Sequence, residues 1–156
     1  MVHKNFEEEL VDLWEIASAR LRDEHRAVNG LEELLRAKGI TEKSLILDTA
    51  GGFGFLVIPL AKRGYQIVYN DGSNEMFRRA FARALEQGAP MYPFQQAMHG
   101  CHWGGGKWQD LKEFQPNAWD ALLCTGNSLP YAVSWGEGNP DLSQAREAIV
   151  ETLETF

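Results

Sequence analysis

The sequence predicts an α/β fold: a parallel sheet with helices on both faces. Three observations carry that prediction. Short apolar runs at residues 44–47 and 66–69 are each followed by a segment of helical spacing, 56–63 and 74–87, and this alternation is the mark of βαβ units. The first run leads through Asp48 into a turn holding Gly51, Gly52 and Gly54, and open α/β sheets bind ligands in the crevice beyond such strand ends. A later run, residues 119–124, is apolar on both faces, as a strand inside a parallel sheet must be.

The remaining elements follow in chain order. Phe6, Leu10, Leu13, Trp14, Ala17 and Leu21 recur at helical spacing, and Leu31, Leu34 and Leu35 continue the pattern after Asn29 and Gly30. Two helices joined at Asn29-Gly30 are therefore expected, the second ending at Gly39 in the left-handed position past a helix C-terminus. Residues 91–97 read as a third strand, and Pro93 places it at a sheet edge. Residues 98–106 have no period and read as loop, 119–124 form the fourth strand, and 142–156 begin another helix. No fifth strand follows, so the sheet is expected to stop after the fourth. With no repeat or interdomain linker, residues 1–156 are expected to form one domain, a helical segment 1–40 preceding a sheet-based core 44–156.

Composition narrows the partners. A formal charge of −7 over 156 residues argues against nucleic acid, whose phosphates demand clustered Lys and Arg. The start lacks a basic patch followed by an apolar stretch, and no window approaches the ~20 apolar residues of a membrane span. A cytoplasmic protein with no membrane partner is expected. Cys101 and Cys124 are the two cysteines; free thiols in a reducing compartment are the simpler reading, with Cys124 buried in its apolar run.

The glycine turn alone would suit a dinucleotide, a phosphate or another nucleoside ligand. A dinucleotide fingerprint needs glycine where Val57 stands, and a phosphate loop needs Gly-Lys-Ser/Thr, which is absent. Asp71 ends the second strand 17 residues after Gly54, where a carboxylate can accept the hydroxyl hydrogens of a ribose. The competing reading makes Asp71-Gly72 a turn, with Ser73 or Asn74 capping the next helix. His99, Cys101 and His102 lack a second pair at structural-zinc spacing, so no metal is expected. Trp103, Trp108, Trp119 and Trp135 are compatible with a cation-binding pocket; core packing is simpler for Trp119.

At this point a resemblance becomes specific. DTAGGFG, 48–54, resembles the first motif of class I S-adenosylmethionine-dependent methyltransferases, and YNDGSNEMF, 69–77, resembles their second. WDALLCTGNSLPYA, 119–132, is similar to the fourth motif of the glycine and sarcosine N-methyltransferases. The resemblance implies a Rossmann-like sheet of strand order 3-2-1-4. It implies that Ala50 and Gly52 line the methionine part of the cofactor within the turn Gly51–Gly54, that Asp71, followed by Gly72, holds the ribose, and that Met76 and Trp108 border the adenine. Core packing is the competing reading for Met76 and Trp108. It further implies that the backbone carbonyl of Thr125 meets the ligand's amino group, with Gly126 and Asn127 beside it, and that Arg22, in preference to Arg20, pairs with the cofactor carboxylate. An exposed helix arginine is the competing reading there. Asn127 and Tyr131 face the acceptor; Tyr131 stands where the family has His, which leaves the acceptor open.

The expected function is methyl transfer from S-adenosylmethionine to the nitrogen of a small amine, such as glycine, sarcosine or a related amino acid. Attack by a neutral amine needs no general base, and positioning supplies much of the rate. The alternatives are a non-catalytic S-adenosylmethionine-binding module lacking the acceptor half and, disfavoured by Val57, a nucleotide-dependent oxidoreductase. Family members complete a seven-stranded sheet, so a second chain or self-association is expected to cover the fourth strand, and activity of this chain alone is not expected.

Overall fold

The apolar runs of the sequence pair as a four-stranded parallel sheet of order β3-β2-β1-β4 in the computed structural model, which describes residues 8–21, 23–93, 119–125 and 150. In chain order the elements are α1 (Glu8–Leu21), α2 (Glu24–Ala37), β1 (Leu45–Asp48), α3 (Val57–Lys62), β2 (Gln66–Tyr69), α4 (Asn74–Glu86), β3 (Met91–Pro93) and β4 (Ala121–Leu123). This is the expected Rossmann-like α/β arrangement, and β3 carries Pro93 at the sheet edge as expected. Residues 94–97 of the expected third strand, the loop 98–106 and the helix expected over 142–156, apart from Val150, lie outside the described residues.

Strand alternation sorts the core. Ile46, Ile67, Tyr69, Met91 and Leu123 point to one face, where they pack with Val28 and Leu35 of α2, with the buried side of α3, and with Phe77, Ala80 and Ala84 of α4. Leu47 and Val68 point to the other face and pack with Leu45, Trp119 and Leu122. Both sets are buried, as a parallel sheet requires. Of the described helices, α2, α3 and α4 cover the first face, and no described helix packs in the cluster on the second, so the expectation of helices on both faces is met on one face among the described residues. Tyr69, Phe77 and Phe81 form an aromatic group with ring centroids 4.8 to 5.7 Å apart, within the range in which tilted rings attract.

The junction of the first two helices differs from expectation. The second helix starts after Asp23, not at Asn29-Gly30: Asp23 caps α2 by accepting the Arg26 backbone N–H at 3.0 Å, which satisfies an end group that the helix cannot. Asn29 and Gly30 lie inside α2. Their turn signal loses because Asn29 Oδ1 accepts from Arg63 at 2.7 Å while Val28 and Leu35 are held in the core. Glu32 on the same helix pairs with Arg63 and Arg36; burial pushes its carboxyl up, but these guanidinium partners outweigh that and hold it below the usual range. The end at Gly39 is as expected, with φ of 78°.

Helix α1 lies against α4 and the glycine turn. Val11 is fully buried beside Phe53 and Met76. Arg79 reaches Asp12 at 2.6 Å and Glu15 at 3.0 Å; Arg83 pairs with Glu15, donates to the Phe53 carbonyl at 3.3 Å and lies 4.6 Å above the Phe55 ring. Cys124 departs from expectation: β4 ends at Leu123, whose side chain faces the core, and Cys124 beyond it is exposed.

Because Gly30 lies within a helix, and a Cβ there would meet nothing within 4 Å among the described residues, Gly30→Ala should stabilise the chain by about 0.5–1 kcal/mol. Urea denaturation measures it. A loss of stability would mean that Asn29-Gly30 is a turn after all.

Candidate functional site

Where β1 ends, the backbone must leave the sheet without stranding its polar groups. Both neighbouring strands receive it. The Thr49 N–H and hydroxyl donate to the Leu123 carbonyl of β4 at 2.9 and 3.0 Å. On the β2 side, the Asn70 N–H donates to the Asp48 carbonyl at 2.8 Å, the Gly51 N–H to the Asn70 carbonyl at 3.0 Å, and the Asn70 side-chain amide to the Thr49 carbonyl at 3.2 Å. The turn is thereby fastened across three strands before α3 begins.

Two glycines are required by what surrounds them. A Cβ on Gly51 would stand 2.2 Å from a ring carbon of Tyr69 and 2.7 Å from Asp48 Oδ2, closer than side chains pack, so position 51 must be bare. Gly52 has φ of 56°, a left-handed backbone that glycine adopts without strain. A Cβ there would meet, among the described residues, only Met76 Sδ at 4.0 Å. The bareness of Gly51 therefore serves packing, and that of Gly52 leaves space above the strand ends.

Asp71 joins this turn to β2. One carboxylate oxygen accepts the Gly52 N–H at 2.8 Å and the other the Ser73 N–H at 2.8 Å. The turn-and-cap reading of the sequence thus holds locally: Ser73 caps α4, its hydroxyl accepting the Met76 N–H at 3.3 Å. Each carboxylate oxygen has a second lone-pair site, so the same group can still accept hydroxyl hydrogens from a ligand. Tyr69, missed as a site residue, donates its hydroxyl to the Gly52 carbonyl. The signal available was its place two residues before Asp71, which in extended chain puts both side chains on one side.

Of the residues expected to bind a cofactor, Ala50, Gly51, Gly52, Gly54, Asp71, Gly72, Met76 and Thr125 are described, and all lie at the carboxyl end of the sheet or the start of α4. Gly52 and Asp71 are hydrogen-bonded, and Met76, 5% exposed, packs with Val11 and Phe53 while facing Gly52. Gly54 packs closely on Ile58. Thr125 is partly buried, two residues past the end of β4. Arg22, Trp108, Gly126, Asn127 and Tyr131 lie outside the described residues, as do His99, Cys101 and His102. Among the described residues no group of three metal-ligating side chains occurs, and no helix is long and apolar enough to cross a membrane.

The site is acidic and dry beneath its surface. Burial pushes the Asp48 carboxyl up to about 7, opposed by the Ala50 N–H and with a smaller addition from the neighbouring Asp71 charge. Burial likewise raises Asp71 to about 6 against the N–H bonds from Ser73 and Gly52. The Tyr69 phenol is driven well above its ordinary value by burial and by both carboxylates. The Cys124 thiol, in a residue that is exposed, is still partly desolvated by the atoms around it and is raised despite a hydrogen bond with Thr49, which disfavours a thiolate.

These shifts fix a pH dependence. The folded chain holds protons on Asp48 and Asp71 that the unfolded chain has already released, so their stabilisation is complete below 3.8 and is lost as pH rises through about 6 and about 7. Glu32 and Glu75, held below 4.5, act in the opposite sense and only at more acid pH. Over pH ~4 to ~7 the native chain should therefore lose stability relative to Asp48→Asn, approaching ~1.4 kcal/mol per pH unit. Denaturant titrations at several pH values test this, and a gap that stays constant would contradict it.

No protein-family model matches the chain. It is 30% identical over 100 residues, 64% of its own length, to the glycine/sarcosine/dimethylglycine N-methyltransferase of Actinopolyspora halophila, of which it covers 16%. It is 28% identical over 115 residues, 74% of its length, to the glycine/sarcosine N-methyltransferase of Halorhodospira halochloris, covering 38% of that protein, and 30% identical over 89 residues to that of Aphanothece halophytica, covering 30%. The chain thus spans well under half the length of these relatives. Over the matched stretch, it resembles glycine/sarcosine N-methyltransferases.

Proposed function

We propose that the chain forms the S-adenosylmethionine-binding part of a methyltransferase acting on the nitrogen of a small amine. The observation that carries this reading is the pairing of Gly52, bare and open above the strand ends, with Asp71. A bare backbone lets a ligand approach closely, and the adjoining carboxylate suits the two hydroxyls of a ribose. Val57, fully buried in the core, occupies the place of the third glycine of a dinucleotide fingerprint, which weighs against NAD. The relatives' names supply the class of acceptor: glycine, sarcosine or a related amino acid.

On this reading, Asp71 holds the ribose, Ala50 and Gly52 line the methionine part, and Met76 borders the adenine. When bound, S-adenosylmethionine supplies a methyl group on a positively charged sulfur for in-line displacement by a neutral amine. The chain contributes position and charge. The N–H groups of Gly52 and Ser73 keep the Asp71 carboxylate aimed and favour its ionised form, and a site walled by Tyr69, Met76 and Phe53 keeps its field little screened by water.

Calorimetric titration with S-adenosylhomocysteine and NAD tests the reading. S-adenosylhomocysteine should bind and NAD should not, and Asp71→Ala should weaken binding by at least about 1.5–3 kcal/mol, the worth of hydrogen bonds to a charged group. Binding of NAD alone, or an undiminished affinity in Asp71→Ala, would refute it. Methyl transfer to glycine or sarcosine, assayed in parallel, separates an enzyme from a binding module.

A further inference from the structure

We infer that Tyr69 is a positioning residue of the strand-end site: its hydroxyl and the Asp71 carboxylate grip the carbonyl and the N–H of Gly52, fixing the glycine turn in its ligand-accepting shape before a ligand arrives. The inference rests on the proposed cofactor site.

Gly52 is the one residue of the turn whose two backbone polar groups are both taken by side chains described here. Its N–H goes to Asp71 Oδ2 at 2.8 Å and its carbonyl receives the Tyr69 hydroxyl. Tyr69 is the last residue of β2 and Asp71 follows two residues later, beyond an Asn70 that is hydrogen-bonded to Asp48 and Thr49, so the end of β2 and its fastened exit set the two grips. Tyr69 itself cannot move far: it is fully buried, and its ring lies 5.7 Å from Phe77 and 5.6 Å from Phe81. The same ring fills the space that a Gly51 side chain would need. Ring and hydroxyl thus have separable tasks, the ring shaping the turn and the hydroxyl orienting the Gly52 peptide. Burial beside Asp48 and Asp71 keeps the phenol protonated, so the hydroxyl remains a donor throughout the working pH range. Without it the Gly52 carbonyl loses its partner, the peptide can rotate, and the N–H leaves Asp71. A ligand must then order the turn as it binds, which weakens affinity.

Tyr69→Phe keeps the ring and removes the grip. On the full chain, calorimetry with S-adenosylhomocysteine should show about three- to tenfold weaker binding, with an unchanged circular dichroism spectrum. Hydrogen exchange at the Gly52 amide of the ligand-free protein should quicken. Val28→Ala, a core truncation in α2, should lower the melting temperature and leave both readouts alone, which separates positioning from general destabilisation. In a double-substitution cycle, Tyr69→Phe with Asp71→Asn should lose less affinity than the product of the two single losses, because both act through Gly52. Failure of the native chain to bind S-adenosylhomocysteine would overturn the functional reading. Normal binding by the native chain, with unaltered affinity and Gly52 exchange in Tyr69→Phe, would overturn the assignment of Tyr69 alone.

Discussion

Everything at the candidate site depends on how the chain leaves β1. A buried central strand that ends abruptly would strand N–H and C=O groups away from water, at a cost of about 1–3 kcal/mol each. Here the exit is hydrogen-bonded to β4 through Thr49 and to β2 through Asn70. That requirement forces a tight turn close to the β2 end, and closeness dictates the bare Gly51 against Tyr69 and Asp48. The left-handed Gly52 follows, with its polar groups delivered to Asp71 and Tyr69. Sheet pairing, turn chemistry and the open space over Gly52 are successive consequences of one constraint.

A second consequence is electrostatic. Asp48 ends β1 and Asp71 lies two residues past the end of β2 under a common cover, so each is desolvated and Asp48 also feels the charge of Asp71. Backbone N–H groups offset part of this, and α1 adds apolar cover through Val11 while its Asp12 and Glu15 are neutralised outside the site by Arg79 and Arg83. Once pH exceeds about 7 both carboxylates are ionised and negative charge is concentrated at the strand ends, where a cationic ligand would be favoured.

The sheet and the glycine turn were legible because their signals are local. Apolar runs of four residues bounded by Asp48 and by Asn70-Asp71 mark β1 and β2, and their helices follow at once. The order 3-2-1-4 came through resemblance and is the order observed. The helix junction was misread because Asn29-Gly30 is a strong turn signal by itself, whereas its place inside α2 is decided by Arg63, distant in sequence. Cys124 was misplaced because an apolar run does not reveal the residue at which pairing ends. Tyr69 escaped notice because an apolar strand residue reads as core; its ring is core, and only the fold shows that its hydroxyl reaches Gly52.

The central claim is that the ends of β1 and β2 form a preshaped site for S-adenosylmethionine. Amide NMR of the chain titrated with S-adenosylhomocysteine addresses it residue by residue. The account predicts shifts concentrated at Gly51 to Gly54 and Asp71 to Ser73, with little change at Leu45 and Gln66 on the opposite strand ends. Saturable shifts centred on those opposite ends, or none at Gly52 and Asp71, would contradict it.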